Sequence, residues 1–361
     1  MKLLIITNIP TPYRDPIYTI LSKYDNIDLF VFYCSLSEPN RKWNYRYLDF
    51  NHKFLSKHEN KFVRLNFNIL KELNQLNPDV VITSGFNFTM LIAWLWSIIK
   101  FKKHIPFSDG NIHSESNLSF LHKILRMLVY RYSDAFLGSS QKTLDLYKSY
   151  KIDQKKLFKS CLSVDNKKFF PKIKVNKIFD LMFCGQFIQR KNPLFFVELA
   201  KFVNDKKPGI NVLLVGEGPL KFNTLTKLNE YEISYFDAGF VQSSEIISYY
   251  HSSKLFIFPT LKEPWGLVAN EALASGLPVF VSSFAGVANE LIIDGYNGFI
   301  FDDFELNSWS EKILNLLNDD ILYDKISNNS ILSVKSYTNN SAAEGIFNSV
   351  KQFVYEDSYC S

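Results

Sequence analysis

The sequence predicts an α/β protein made of two doubly wound, parallel-sheet domains, and three observations carry that reading. The first is the stretch 254–298, KLFIFPTLKEPWGLVANEALASGLPVFVSSFAGVANELIIDGYNG. It reads as a buried strand over 255–259, a loop over 260–265, a helix opened by Gly266 and stopped by Ser275-Gly276, and a second buried strand over 277–282. Strand, helix, strand is a βαβ unit, which makes a parallel pair. The second observation is that short apolar runs at 2–7, 80–83, 104–108, 180–184 and 212–215 alternate with helical patterns. The third is length: 361 residues are enough for two domains of ordinary size.

Composition narrows the class. Hydrophobic residues make up 47% of the chain and charged residues 21%, the balance of a globular protein. A net charge of +5 and a pI of about 8.7 suit an anionic nucleotide or a membrane surface and are too weak to make nucleic acid an expected partner. Cys34, Cys161, Cys184 and Cys360 form no C-x-x-C pair, so no zinc or dithiol redox motif is read and a reducing compartment fits. The apolar run 3–7 is too short for a signal peptide, and Pro10 and Pro12 interrupt it. The longest apolar run, 88–99, falls short of the roughly 20 residues that span a bilayer. A cytoplasmic protein is expected, with peripheral contact at the inner membrane face left open.

The elements follow in order. Residues 2–7 are the first buried strand, and the loop after it is NIPTPYRDP. It carries prolines and no G-x-G-x-x-G, which argues against a dinucleotide fingerprint. Arg14 in this loop is a candidate contact for an anionic acceptor; its plainer role is a cap or an ion pair within the loop. A second strand lies over 27–33, and 35–60 carries little pattern and is expected as loops. A helix over 70–76 precedes the strand 80–83. The helix 88–99 is apolar nearly all round. It is either a sheet-covering helix with a solvated end or a membrane face with Trp94 and Trp96 near the surface; the lack of a clean polar side favours the former. Strand 104–108 ends at Asp109-Gly110, where Asp109 is either an ordinary turn residue or a ligand contact. An amphipathic helix spans 118–132, a strand 134–138, and Ser139-Ser140 cap the helix that follows.

The Lys-rich stretch 167–177 reads as a linker, giving domains 1–170 and 171–341. The second domain opens with strand 180–184, turned by Gly185. Arg190 and Lys191 stand just before a helix whose first residue is Pro193. Cations at a helix start oppose its dipole, and that conflict points to a bound anion. Strand 212–215 ends in Gly216-Glu217-Gly218-Pro219, and a strand lies in 235–240. Ser243-Ser244-Glu245 signals the cap of a helix over 246–251, and helices are expected near 309–317, 322–334 and 342–355.

Ligands of open α/β sheets bind at the carboxyl ends of strands, so the loop 260–265 and the helix start at Gly266 and Leu267 suit a phosphate-bearing ligand. Glu263 in that loop and Glu271 in the helix lie eight positions apart and share no helix face, so they read as two contacts on one extended ligand. The run E-P-W-G-L-V-A-N-E-A-L-A-S-G-L-P-V, from Glu263 to Val279, resembles the motif of the retaining glycosyltransferases of family 4, which have the GT-B fold: two Rossmann-like domains facing a central cleft. Further likenesses are N-x-P-x-P-Y-R at the start, as in bacterial members that build surface polysaccharides, V-D-N-K-K-F-F-P at 164–171, G-Q-F-I-Q-R-K at 185–191, G-E-G-P at 216–219, and Gly286 to Glu290.

The resemblance implies a retaining, metal-independent transfer of a sugar from a UDP- or GDP-sugar. The acceptor would be a glycan or a polyprenyl-linked glycan of O-antigen, capsule or lipopolysaccharide. No cofactor is implied. Glu263, Arg190, Lys191 and Asp109 would be catalytic, with Asp109 standing where relatives have a histidine and Gln186 where they often have an arginine. Glu271 would hold the ribose; Gly266, Leu267, Trp265, Gly185, Gly216 and Val241 would line the donor site, and Arg14 the acceptor side. The segment 342–361 would cross back onto the first domain. Two other classes stay open: a non-catalytic sugar-nucleotide-binding scaffold and a nucleotide-sugar epimerase of the same fold.

Overall fold

Short buried runs form the strands and amphipathic segments cover them, giving one parallel sheet of seven strands and one of six. The computed structural model describes residues 1–38, 48–56, 66–116, 118–171, 175–242 and 245–356, the side chains of 354–356 excepted. Its contacts divide the chain into unit 1, Met1–Leu162 with Asn339–Ser361, and unit 2, Ser163–Thr338.

Unit 1 runs β1 (Lys2–Thr7), α1 (Asp15–Leu21), β2 (Asp28–Tyr33), β3 (Asn51–Phe54), α2 (Ile69–Leu76), β4 (Val80–Thr83), α3 (Phe88–Ile99), β5 (Lys103–Ser108), α4 (Ile112–Glu115), α5 (Phe120–Arg131), β6 (Phe136–Gly138), α6 (Gln141–Ser149) and β7 (Leu157–Lys159). The strand order is β3-β2-β1-β4-β5-β6-β7, every pair parallel. The chain leaves β1 toward β2 and later returns to its other side as β4, so the order reverses between β1 and β4. That switch point opens a crevice at the carboxyl ends of these strands. Leu4, Ile6 and Val81 of the sheet pack against Met90, Ala93 and Trp96 of α3 in the core beneath it.

Unit 2 runs α7 (Asn166–Phe169), β8 (Phe179–Cys184), α8 (Pro193–Lys206), β9 (Asn211–Val215), α9 (Lys221–Glu230), β10 (Ser234–Asp237), α10 (Ile246–His251), β11 (Ser253–Phe258), α11 (Leu267–Ala274), β12 (Val279–Ser282), β13 (Gly298–Phe301), α12 (Leu306–Asn318) and α13 (Asp320–Ser333). Its order β10-β9-β8-β11-β12-β13 reverses between β8 and β11. The last helix, α14 (Asn339–Glu356), belongs to unit 1, where Ser160 Oγ donates to Ala342 O at 2.8 Å and Tyr24 meets Phe347 edge to face.

Two expectations need correction. Segment 35–60 is not all loop, because residues 51–54 pair with β2 as the edge strand β3; its stretches 39–47 and 57–60 lie outside the described residues. The division falls at Leu162 rather than 170, since 163–170 is tied to unit 2: Asn166 Nδ2 donates to Val334 O and Tyr337 O, and His251 Nε2 contacts Phe169 O. On α3, Trp96 is buried with its Nε1 donating to Asn74 Oδ1 at 2.9 Å, as the favoured sheet-covering reading expects. The capping signal at 243–244, linker residues 172–174, Cys360 and the end of the last segment, 357–361, lie outside the described residues. No described helix is long and apolar enough to cross a membrane.

Candidate functional site

In unit 2 the loops that leave β8 and β11 meet at the switch point. Thr260 Oγ1 and Leu261 N both donate to Arg190 O, at 2.9 and 2.8 Å, pinning one loop to the other. Arg190 Nη1 donates to Lys262 O at 3.0 Å and to Glu263 Oε2, and Lys191 Nζ donates to that same carboxylate oxygen. Lys191 is buried, its Nζ 4.8 Å from the centroid of the Phe258 ring. Burial holds the Lys191 amine below its ordinary pKa, while Glu263 beside it pulls the other way. Two cations sharing one carboxylate leave the cluster net positive, as an incoming anion would need.

Glycines shape the approach to that cluster. Gly266 caps α11 at φ +115°, and a Cβ there would stand 2.5 Å from Phe258 Cε1. The first N–H groups of α11, from Leu267 on, have no partner within the helix and carry the positive end of its dipole. Gly216 has φ +131°, and a Cβ on it would fall 1.9 Å from Gly185 O, so the loops after β8 and β9 close only around glycine. Gly216 N donates to Gly239 O at 2.7 Å, and Val241 follows in that loop, partly exposed.

Glu271 faces elsewhere. Its Oε2 accepts from the buried Tyr250 hydroxyl at 2.8 Å, with Cys184 alongside. Burial raises the Glu271 carboxyl from 4.5 to about 7, with the Tyr250 bond pulling it back, and burial pushes the Cys184 thiol up to about 12. The structure therefore brings Glu263, Arg190 and Lys191 together and gives Glu271 separate partners. Trp265 must be corrected as a donor contact. It is buried, its Nε1 donates to Asn270 Oδ1 at 2.8 Å, and its ring stacks on Tyr337, so the indole serves the core.

In unit 1 a cavity of about 610 Å³ opens at the β1/β4 switch point, lined by residues from the loops after β1, β4 and β5 and from α4 and α5. Arg14 Nη2 donates to Asp109 Oδ1 at 2.5 Å, and the guanidinium lies 4.3 Å over the Phe107 ring. A second pair, Arg126 Nη2 to Glu115 Oε1 at 2.9 Å, lines the same cavity. Arg14 Nη1, Arg126 Nε and Glu115 Oε2 are buried without a hydrogen-bond partner among the described residues. Burial raises the Glu115 carboxyl against the opposing pull of Arg126.

Sequence reasoning missed Lys221, Tyr250 and the Arg126–Glu115 pair. Lys221 Nζ ties the Gly216 loop, donating to Gly216 O at 2.8 Å and Glu217 Oε1 at 3.0 Å and pairing with Asp237 at 2.7 Å. A signal for it existed: Lys221 is the first residue of α9, the same cation-at-a-helix-start conflict that marks Arg190 and Lys191.

Comparison with known proteins fits this geometry. Residues 164–332 match the family model described as "Glycosyl transferases group 1". The chain is 34% identical over 125 residues to sulfoquinovosyl transferase SQD2 of Arabidopsis thaliana, covering 34% of this chain and 24% of that protein. It is 25% identical over 311 residues to N,N'-diacetylbacillosaminyl-diphospho-undecaprenol alpha-1,3-N-acetylgalactosaminyltransferase of Campylobacter jejuni, covering 79% of this chain and 80% of that protein. The matches to the first curated relatives span only 24% to 41% of those proteins' own length. Among solved structures, Anabaena Alr3699/HepE in complex with UDP superposes with a TM-score of 0.77 over 98% of this chain and 100% of that one, at 13% identity. Two parallel-sheet units and that likeness identify the fold as GT-B.

Proposed function

We propose that the chain is a retaining glycosyltransferase that moves a sugar from a UDP- or GDP-sugar to a glycan or polyprenyl-linked acceptor in surface-polysaccharide biosynthesis. The observation that carries this reading is the convergence of Arg190, Lys191 and Glu263, from two loops, on the switch point of the unit 2 sheet. The chemical demand is departure of a nucleoside diphosphate. Arg190, Lys191 and the first N–H groups of α11 are preorganised donors for the charge that develops on it, so no metal is needed. Glu263 holds both cations in place before the donor arrives, and once it binds sits beside the sugar. Glu271, fixed by Tyr250, accepts from the ribose hydroxyls, and the leaving phosphate takes the acceptor's proton during same-face attack. The unit 1 cavity, with Arg14 and Asp109, takes the acceptor. Relatives support this choice: the Campylobacter protein is named for an undecaprenol-diphosphate-linked acceptor, and the Anabaena structure holds UDP.

The test is a panel of UDP- and GDP-sugars screened by thermal shift, then assayed for transfer to lipid-linked and soluble glycans, with the anomer of the product read by NMR. A nucleotide-sugar that raises Tm and is consumed only with an acceptor supports the reading. Binding without turnover on any acceptor would leave a scaffold, and free-sugar release without acceptor an epimerase.

A further inference from the structure

We propose that one face of unit 1, made by α3, α5 and the turn closing α3, docks on an anionic lipid surface. The two helices are the β4→β5 and β5→β6 crossovers, successive steps in one direction across the sheet, so right-handed connection puts both on the same side. Packing agrees: Val129 and Tyr130 of α5 share a cluster with Leu91 and Trp94 of α3. The side chains turned away from the sheet are apolar. Phe88, Leu95 and Ile99 on α3 and Phe120, Leu121 and Met127 on α5 are each more than half exposed. Two helices on one side of the sheet that each expose large apolar side chains mark an interaction site.

The turn after α3 points the same way. Phe101 N donates to Ile98 O at 3.1 Å and Lys102 N to Ser97 O at 2.8 Å, the paired bonds of a Schellman motif. The left-handed position of that motif is normally glycine or asparagine, yet here it is Phe101, at φ 56° and 94% exposed. An aromatic ring held in a strained conformation and in full contact with solvent contributes nothing to folding, which points to a use outside the chain.

Charge selects the partner. The α5 sequence FLHKILRMLVYR contains no acidic residue, and Lys100, Lys123 and Arg131 make no ion pair among the described residues. A second copy packed face to face would set these cations against each other. Asp79 and Asp134 nearby are engaged by Lys102 and Lys103, and an apolar stripe bordered by Lys100, Lys123 and Arg131 instead fits the boundary between acyl chains and anionic headgroups. Each helix has 12 residues and neither can cross a bilayer, so both lie in its plane.

The test needs neither donor nor acceptor, so its outcome is independent of the transferase reading. The full chain is sedimented with phosphatidylcholine vesicles with and without phosphatidylglycerol. It should pellet with the anionic vesicles and be released as salt rises. Phe101→Gly should melt at or above the wild-type temperature, because glycine relieves the strain, yet bind several-fold more weakly. A triple variant, Phe120→Gln with Leu121→Gln and Met127→Gln, should lose at least about tenfold in partitioning. Wild type left in the supernatant, or both variants pelleting like wild type, overturns the proposal. Light scattering that shows a lipid-free dimer dissolved by the triple variant overturns it too, in favour of an interface between copies.

Discussion

Arg14 and Asp109, 95 residues apart in the chain, form one ion pair across the unit 1 cavity. The sequence reading gives them separate roles, Arg14 on the acceptor side and Asp109 among the catalytic residues. In the folded chain Arg14 is buried and Asp109 about half exposed, so under the proposed function the arginine would orient the carboxylate and the carboxylate would meet the acceptor. Asp109→Asn should therefore lower transfer on the order of tenfold or more while leaving nucleoside diphosphate affinity, which belongs to unit 2, unchanged. Parallel calorimetry and transfer assays decide it, and weakened diphosphate binding would remove Asp109 from the acceptor role.

The Glu263 clamp gives a second split. Lys191→Ala and Arg190→Ala each remove a charge-assisted donor to the leaving phosphate, and turnover should fall on the order of tenfold to a thousandfold. Glu263→Gln should cut turnover as well, but must not weaken bare diphosphate binding, because it releases both cations from their shared oxygen. Glu271→Gln should do the reverse and lose affinity for substrate and bare diphosphate alike. If Glu263→Gln abolishes diphosphate binding while Glu271→Gln binds normally, the ligand runs through the loop the other way.

These pairs mark how far the sequence was legible. The βαβ unit could be read because its strands are buried on both faces, so apolar runs, Gly266 and Ser275-Gly276 punctuate it locally. Glu263, Arg190 and Lys191 could be picked out because each sits where local rules are broken or a long motif runs. Their meeting could not, since it depends on β8 and β11 being neighbours although 70 or more residues separate the partners. Trp265 was misjudged because a motif position does not say which way a side chain turns; Asn270, in the helix that follows, draws the indole inward. The strand 51–54 escaped notice because an exposed edge strand, NHKF, has no buried run to betray it.

Charge supplied by side chains and a helix start carries a prediction about metal. Transfer should persist in excess chelator, since under the proposed function Arg190, Lys191 and the α11 N-terminus would face the leaving group. Complete loss in chelator, restored by magnesium or manganese, would reject this account.

The raised Glu271 carboxyl predicts a pH dependence for the donor site. With its folded pKa near 7 against 4.5 for the free side chain, the folded state holds the extra proton between those values. Stability from this group is thus present at low pH and declines as pH rises from about 4.5 to 7, by no more than about 3 kcal/mol. Ribose binding needs the ionised acceptor, so nucleoside diphosphate affinity should instead strengthen as pH rises through about 7. Tyr250→Phe, which removes a bond to the charged form, should shift that midpoint upward. Calorimetric titration between pH 5.5 and 8.5 reads both, and a flat profile shared by wild type and Tyr250→Phe would separate Glu271 from the ribose.

Unit 1 carries the opposite sign in His104. The ring is fully buried, with Nε2 3.0 Å from Thr83 Oγ1 and Nδ1 2.9 Å from Ser133 Oγ, and burial lowers its pKa from 6.5 to about 3. The neutral ring belongs to the folded state, and the unfolded chain binds the proton first. Stability from His104 is therefore present above about pH 6.5 and is lost as pH falls toward 3, at about 1.4 kcal/mol for each pH unit. The raised Glu271 and Glu115 carboxyls act in the opposite sense as pH falls, so the histidine is isolated by the difference between the wild type and a variant that lacks it. Denaturant midpoints of the wild type should fall relative to those of His104→Gln as pH drops from 6.5 to 4.5. His104→Gln keeps a polar side chain without the titration; it should cost about 1–3 kcal/mol at pH 7 for imperfect hydrogen bonding, and its profile should lack the histidine's share of the acid loss between 6.5 and 4.5. Because β5 is an interior strand of the unit 1 sheet, the transition should appear first in hydrogen exchange of unit 1 amides, with unit 2 protected to lower pH. An acid slope of equal size in wild type and His104→Gln would show that other groups drive the acid transition.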